Sequence, residues 1–157
     1  MNISTTITLT NVGDKVYMRG MLNGDNTNSD YTQFTMTGKI ATSGNCNALW
    51  NYQDLNAPLK AYCGNRMFYQ CTSLTTAPEL PATTLAKGCY YNMFWKCTSL
   101  TTVPELPATE LAEYCYYYMF RDCTSLTNAP VLPATMLSSY CYENMFNGCT
   151  NLNYIKC

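Results

Sequence analysis

Cysteines form the most regular set of potentially reactive side chains in this 157-residue chain, which contains ten of them. Eight fall into two ladders with a spacing of 26 residues: Cys63, Cys89, Cys115 and Cys141, and Cys71, Cys97, Cys123 and Cys149. Zinc sites favour cysteine pairs separated by about two to four residues, so the spacings of this chain argue against a metal centre. We therefore predict no metal ligand and no cofactor. Disulfides and buried free thiols both remain open from the spacing alone.

The other side chains indicate no catalytic site. The chain has no histidine, which removes the commonest general base and metal ligand. Glu79 and Glu105 occupy equivalent positions of two repeats, but stacked carboxylates without an implied pocket are typical of a polar surface. Nine basic and ten acidic residues give a net charge of −1, which argues against nucleic acid as a partner. Because the side chains indicate no catalytic site, we predict that the protein is not an enzyme. No apolar run approaches the length of a membrane span, so we also predict no membrane insertion.

These side chains are positioned by a repeat of 26 residues. Cys-Thr-Ser-Leu occurs at 71–74, 97–100 and 123–126, and 15 of the 26 positions are identical in three full units. The full units span 71–96, 97–122 and 123–148; a degenerate unit at 46–70 precedes them and a partial one at 149–157 follows. A fixed period of this length predicts a stack of structural repeats.

Each unit has two halves with different patterns. The first half, from Leu74 to Pro81, contains two prolines and predicts a short extended strand. In the second half Leu85, Cys89 and Met93 recur every four residues, which predicts a helix of about 13 residues with these side chains in the core. The expected fold is therefore an α/β repeat solenoid: a curved leucine-rich-repeat array of strand–helix units, with strands on the concave side and helices on the convex side.

Residues 1–45 are predicted to form an N-terminal β cap on the repeats at 46–157. Three or four strands are indicated by alternating apolar residues: Ile3, Thr5, Ile7 and Leu9, then Val16 and Met18, then Phe34 and Met36.

Within the predicted helices, Cys89 and Cys97 would lie about 12 Å apart, beyond the reach of a disulfide of about 7 Å. The helical interpretation thus favours buried free thiols and leaves a disulfide open only for the ladder at the helix ends.

The motif Phe-x-x-Cys-x-x-Leu, at 68–74 and again at 94–100, 120–126 and 146–152, resembles the BspA-like (Treponema pallidum-type) leucine-rich repeats. The 26-residue form is similar to repeats in proteins of gut Bacteroidales and their phages. This resemblance implies a leucine-rich-repeat fold and an extracellular setting, on a cell surface or a virion. It also implies adhesion, through binding of a protein or a glycan, without catalysis.

The candidate ligand-binding residues are aromatic. On the helical wheel, the positions that vary between repeats lie opposite the core and carry Tyr62, Tyr69, Tyr91, Trp95, Tyr114, Tyr117, Tyr118 and Tyr140. Tyrosine and tryptophan dominate binding hot spots, so we predict a binding surface for a protein or a glycan. Packing between repeats and self-association are the alternatives. The predicted function is a non-catalytic adhesion or binding module; the alternative is a structural spacer or self-assembling element of a surface or phage tail protein.

Overall fold

Regular secondary structure is sparse. The computed structural model describes residues 6–11, 13–20, 29 and 31–156. In this part of the chain the named elements are strand β1 (Ile40–Ala41), helix α1 (Asn47–Trp50) and strand β2 (Leu74–Thr76). β1 and β2 pair in parallel. Isolated parallel bridges link further repeats, among them Thr76 with Thr102. None of the described residues belongs to a helix long and apolar enough to cross a membrane.

The predicted solenoid of strand–helix units is wrong. Where a 13-residue helix was expected in each repeat, the chain forms a ten-residue run of turns, which we call a turn segment: 61–70, 87–96, 113–122 and 139–148. Alternate N–H groups in a turn segment donate to the carbonyl three residues earlier. Tyr91 N–H donates to Gly88 at 3.0 Å, and Met93 N–H to Tyr90 at 3.2 Å. An α-helix would instead use the carbonyl four residues earlier.

The remaining N–H groups of a turn segment bond to the next repeat. Each donates to a carbonyl 25 residues further along the chain: Tyr90 N–H to Cys115 at 3.1 Å, for example, and Phe94 N–H to Met119 at 2.9 Å. Five such bonds, with donor–acceptor distances from 2.7 to 3.1 Å, join each turn segment to the following one. Backbone groups that a helix would satisfy internally are therefore satisfied between repeats, and we call this set of bonds the ladder.

The second, sixth and tenth residues of every turn segment have left-handed backbone conformations. In 87–96 these are Gly88, Asn92 and Lys96, with φ of 58°, 56° and 64°. A positive φ at the third residue of a hydrogen-bonded four-residue turn is the mark of a type II turn. Glycine and asparagine tolerate this conformation, whereas the tyrosines and charged residues at equivalent positions adopt it at about 1–3 kcal/mol each. Contacts between the repeats must offset that cost.

The core consists of columns of equivalent side chains. Phe68, Phe94, Phe120 and Phe146 stack with ring centroids 5.3, 5.5 and 5.8 Å apart and planes within 7° of parallel. A second column of Tyr90, Tyr116 and Tyr142 stacks at 5.9 and 5.7 Å. The predicted burial of Cys89 and Met93 is confirmed, whereas Leu85 is only half-buried. Leu74, Leu80 and Phe94 are buried as well.

The first repeat is covered by residues 31–50, whose strand β1 has two residues, and the predicted cap of three or four strands is not found in the described residues. Residues 7–9, 16–18 and 34–36 are not in strands, and Ile3 and Thr5 lie outside the described residues. The cover uses other contacts. The Phe34 ring packs on Phe68 at 5.3 Å. Phe34 N–H donates to the Met67 carbonyl at 2.7 Å, and Trp50 Nε1 donates to the Cys63 carbonyl at 3.0 Å.

The nine described cysteines are free, and all except the half-buried Cys149 are buried; Cys157 lies outside the described residues. The prediction of buried free thiols is confirmed for eight of these nine, and Cys149 is free but half-buried. Two of the thiols donate to carbonyls 29 residues earlier in the chain, Cys97 Sγ to Phe68 at 3.0 Å and Cys123 Sγ to Phe94 at 3.1 Å. Burial raises the pKa of the Cys63 and Cys115 thiols to about 12.

These thiols should make stability depend on alkaline pH. The unfolded chain ionises them above pH 9.0, whereas the folded chain keeps Cys63 and Cys115 protonated until about pH 12. Ionisation thus stabilises the unfolded state in this window, and the free energy of unfolding should fall by up to about 1.4 kcal/mol per pH unit per thiol. Denaturant unfolding of reduced protein at pH 8 and pH 10 measures the fall. Cys115→Ala should lessen it, and equal stability of the unsubstituted protein at both pH values would contradict the prediction.

The ladder predicts that a whole repeat can be removed in register. Deleting residues 97–122 places turn segment 87–96 against 139–148, with Phe94 facing Phe146 and Tyr90 facing Tyr142. We expect cooperative unfolding with a denaturant m-value reduced by about a sixth, because less surface is buried. Deleting residues 97–119 is the matched control, since it shifts the register by three residues and should abolish cooperative unfolding. Equal behaviour of the two deletions would contradict the ladder.

Candidate functional site

The structure brings all eight predicted aromatic residues into one continuous network of ring contacts, which we call the aromatic surface. Its members are Tyr62, Tyr69, Tyr91, Trp95, Tyr114, Tyr117, Tyr118 and Tyr140. They come from all four turn segments. The helices expected to carry them are absent, yet the residues lie side by side as predicted.

Tyr91 is at the centre of the aromatic surface. It stacks on Tyr117 with centroids 4.8 Å apart and planes 14° from parallel, and it meets the edges of Tyr62 and Tyr114. Tyr114 stacks in turn on Tyr140 at 4.9 Å with an interplanar angle of 3°. Each of these face-to-face stacks covers one face of both rings.

Trp95 lies in another part of the aromatic surface, where it contacts polar side chains that were not predicted from the sequence. Its Nε1 donates to Asp122 Oδ2 at 2.9 Å, across the boundary between two repeats. The Arg121 guanidinium lies 5.2 Å from the Trp95 ring and 4.7 Å from the Tyr118 ring. Lys96 Nζ is 5.5 Å from the Trp95 ring. The residues at these positions vary between repeats, as the aromatic residues do. This variation is the sequence feature that could have indicated that they belong to the surface.

Backbone conformation directs several of these rings. Tyr62, Tyr114, Tyr118 and Tyr140 all occupy left-handed positions, with φ between 54° and 57°. Gly88 interrupts this series at the position equivalent to Tyr62 and Tyr114. A Cβ atom on Gly88 would collide with the Tyr62 ring, so the glycine provides the space into which that ring turns. The glycine therefore supports the surface without being part of it.

The members of the surface are half-buried, except Tyr140, which is 53% exposed. The prediction that these eight residues face solvent and the alternative that their rings pack between repeats each describe part of the arrangement. Core packing does not require these residues, because Tyr90, Met93 and Phe94 fill the interior. An apolar patch assembled from four repeats thus remains accessible to a partner.

Charges beside the rings are mostly paired. Lys87 Nζ lies 2.7 Å from Glu113, and Arg121 Nε lies 3.8 Å from Asp122 Oδ2. A hydrogen bond with Tyr118, together with partial burial, raises the pKa of Tyr117. Burial, with Tyr140 nearby, raises the pKa of Tyr114. The phenols of Tyr114 and Tyr117 therefore stay protonated at neutral pH and can donate hydrogen bonds.

Metal-ligating side chains do not gather into a cluster in the part of the chain that the structure describes. No cluster of three or more histidine, cysteine, aspartate or glutamate side chains there could hold a metal ion. Comparisons with protein-family models, with curated proteins and with solved structures found no match. The geometry of the aromatic surface is therefore the basis for assigning a function.

Proposed function

We propose that this protein is a non-catalytic binding module whose aromatic surface contacts a protein ligand. The observation that carries the proposal is the continuity of the eight rings across four repeats, in partly exposed positions that the core does not need. Contiguous exposed apolar patches mark interaction sites, and tyrosine and tryptophan contribute most to binding hot spots.

The orientation of the rings favours a protein over a glycan. Sugars bind aromatic side chains by stacking on an exposed ring face. Tyr91 has one face against Tyr117, and the Trp95 ring has the cationic groups of Arg121 and Lys96 within 5.5 Å. Ring edges and phenol hydroxyls remain, which suit apolar contacts and hydrogen bonds with a polypeptide, as in tyrosine-rich antibody paratopes.

The proposed setting is extracellular, on a cell surface or a virion. Its support is the sequence resemblance of the Phe-x-x-Cys-x-x-Leu motif to BspA-like repeats. The near-neutral charge of the chain is compatible with a surface that binds through aromatic contacts rather than electrostatic steering. Self-association through the same surface is the alternative function, and it predicts a different outcome of the experiment below.

Tyr117→Ala is the variant that tests the function. It removes the rings' central stack, so we expect affinity for a protein ligand to fall about 30-fold, the equivalent of about 2 kcal/mol for a hot-spot residue. Stability should fall by about 1–2 kcal/mol, which leaves the chain folded. Tyr17→Ala is the matched control, because Tyr17 is 88% exposed and outside the surface. The affinity of this variant for the ligand should stay within about twofold of that of the unsubstituted protein.

The ligand is sought by probing the unsubstituted protein in parallel against an arrayed protein library and a glycan array, with both variants as comparisons. Binding to arrayed proteins that Tyr117→Ala loses and Tyr17→Ala keeps would support the proposal. Binding to glycans alone would contradict the ligand class. Sedimentation velocity that shows concentration-dependent oligomers, lost in Tyr117→Ala, would instead favour the self-assembling element.

A further inference from the structure

One corner of the aromatic surface holds an arginine against two rings. The Arg121 guanidinium lies 5.2 Å from the centre of the Trp95 ring and 4.7 Å from that of Tyr118. The two rings meet at an interplanar angle of 71°, so they form two walls beside the guanidinium. A guanidinium that lies over aromatic rings still presents N–H donors at its own edge. We call Arg121, Trp95 and Tyr118 the arginine corner.

The donors of the Arg121 side chain have no acceptor in the part of the chain that the structure describes. Asp122 Oδ2 is 3.8 Å from Arg121 Nε, which is too long for a hydrogen bond. That oxygen accepts instead from Trp95 Nε1 at 2.9 Å. Arg121 Nε is buried, so the 31% of the side chain that is exposed belongs to its other atoms. A guanidinium has five N–H donors, and none of the described residues accepts from those of Arg121.

A second cation lies beside the arginine corner. Lys96 N–H donates to the Arg121 carbonyl at 2.8 Å as part of the ladder, which makes the two residues neighbours in adjacent repeats. Lys96 Nζ lies 5.5 Å from the Trp95 ring. No carboxylate among the described residues is within ion-pair distance of Lys96. Two positive side chains therefore share the single carboxylate of Asp122, and one positive charge is left for a ligand.

A glycine of the next repeat provides the space for this carboxylate. Gly148 has a φ of 79°, and a Cβ atom at this position would collide with Asp122 Oδ1. The Asp122 side chain can therefore turn towards the preceding repeat and accept the hydrogen bond from Trp95. That bond orients the indole ring over which the Arg121 guanidinium lies. The arginine corner is thus held by contacts across three repeats.

We propose that the arginine corner binds a carboxylate side chain of the protein ligand, with Lys96 adding attraction. The inference rests on the proposed function and names the chemistry that the aromatic surface recognises, an acidic residue next to apolar ones. Arginine binds a carboxylate through two parallel N–H···O bonds, and the flanking rings limit the access of water to such a pair. A carboxylate carries one negative charge, which matches the one positive charge left by Asp122. A phosphorylated residue carries about −1.5 to −2 and matches it less well.

Two blocked tripeptides test the site without the protein ligand. Acetyl-Gly-Glu-Gly-amide carries the carboxylate, and acetyl-Gly-Gln-Gly-amide is its neutral isostere. Each is titrated into the unsubstituted protein at constant ionic strength, and NMR follows the Nε1–H resonance of Trp95 and the Nε–H resonance of Arg121. The acidic tripeptide should shift both resonances until they saturate. Its affinity should exceed that of the neutral tripeptide about tenfold, as expected for one charge-assisted pair.

Arg121→Gln removes the guanidinium, so the affinity of this variant for the acidic tripeptide should fall about tenfold, as measured at Trp95. Arg19→Gln is the matched control. Arg19 also lies over an aromatic ring, 4.8 Å from the centre of Tyr52, but it is exposed and outside the aromatic surface. This control should bind the acidic tripeptide like the unsubstituted protein. The comparison of the two tripeptides on the unsubstituted protein does not depend on the folding of either variant.

Three results would overturn the inference. Equal affinity for the two tripeptides, or equal affinity of the two variants for the acidic one, would show that the arginine corner does not bind a carboxylate. Stronger binding of inorganic phosphate than of the acidic tripeptide would show that the ligand class is wrong. These failures are distinguishable from failure of the proposed function, because the tripeptides probe Arg121 whereas the arrayed proteins are compared with Tyr117→Ala.

Discussion

The backbone ladder between repeats is the interaction on which the rest of the structure depends. Each of the first three turn segments uses about half of its N–H groups for its own turns and the others for the next repeat. A single repeat therefore leaves a row of unsatisfied donors or acceptors, and it becomes stable only when a neighbour or a cover supplies the complementary groups. Residues 31–50 supply that cover at the first repeat.

The ladder also determines how side chains meet. Backbones joined by such bonds approach more closely than packed helices, whose axes lie about 8–10 Å apart. Equivalent side chains therefore come within ring-stacking distance, as Phe94 and Phe120 do at 5.5 Å. The same spacing generates the buried columns and the stacked tyrosines of the aromatic surface. Within the aromatic surface this spacing produces stacks such as that of Tyr91 on Tyr117, whose covered ring faces are the basis for proposing a protein ligand.

Much of the arrangement could be predicted from sequence, because the repeat and its buried positions follow from spacing alone. The helix was wrong because Leu85, Cys89 and Met93 recur every four residues, and a four-residue turn repeat buries the same positions as a helix of 3.6 residues per turn. Gly88 and Asn92 carried the missing signal, since both are poor helix formers that tolerate left-handed conformations. The pairing of Trp95 with Asp122 could not be predicted, because it depends on the distance between repeats.

A direct measurement of the ladder is the scalar coupling transmitted across individual hydrogen bonds, observed by NMR in isotopically labelled protein. If repeats are joined by the ladder, the amide nitrogen of Phe94 couples to the carbonyl carbon of Met119, and that of Tyr90 couples to the carbonyl carbon of Cys115. If the chain instead forms helices, the amide nitrogen of Phe94 couples to the carbonyl carbon of Tyr90, four residues earlier, and couplings between repeats are absent. The second result would contradict the ladder and everything derived from it.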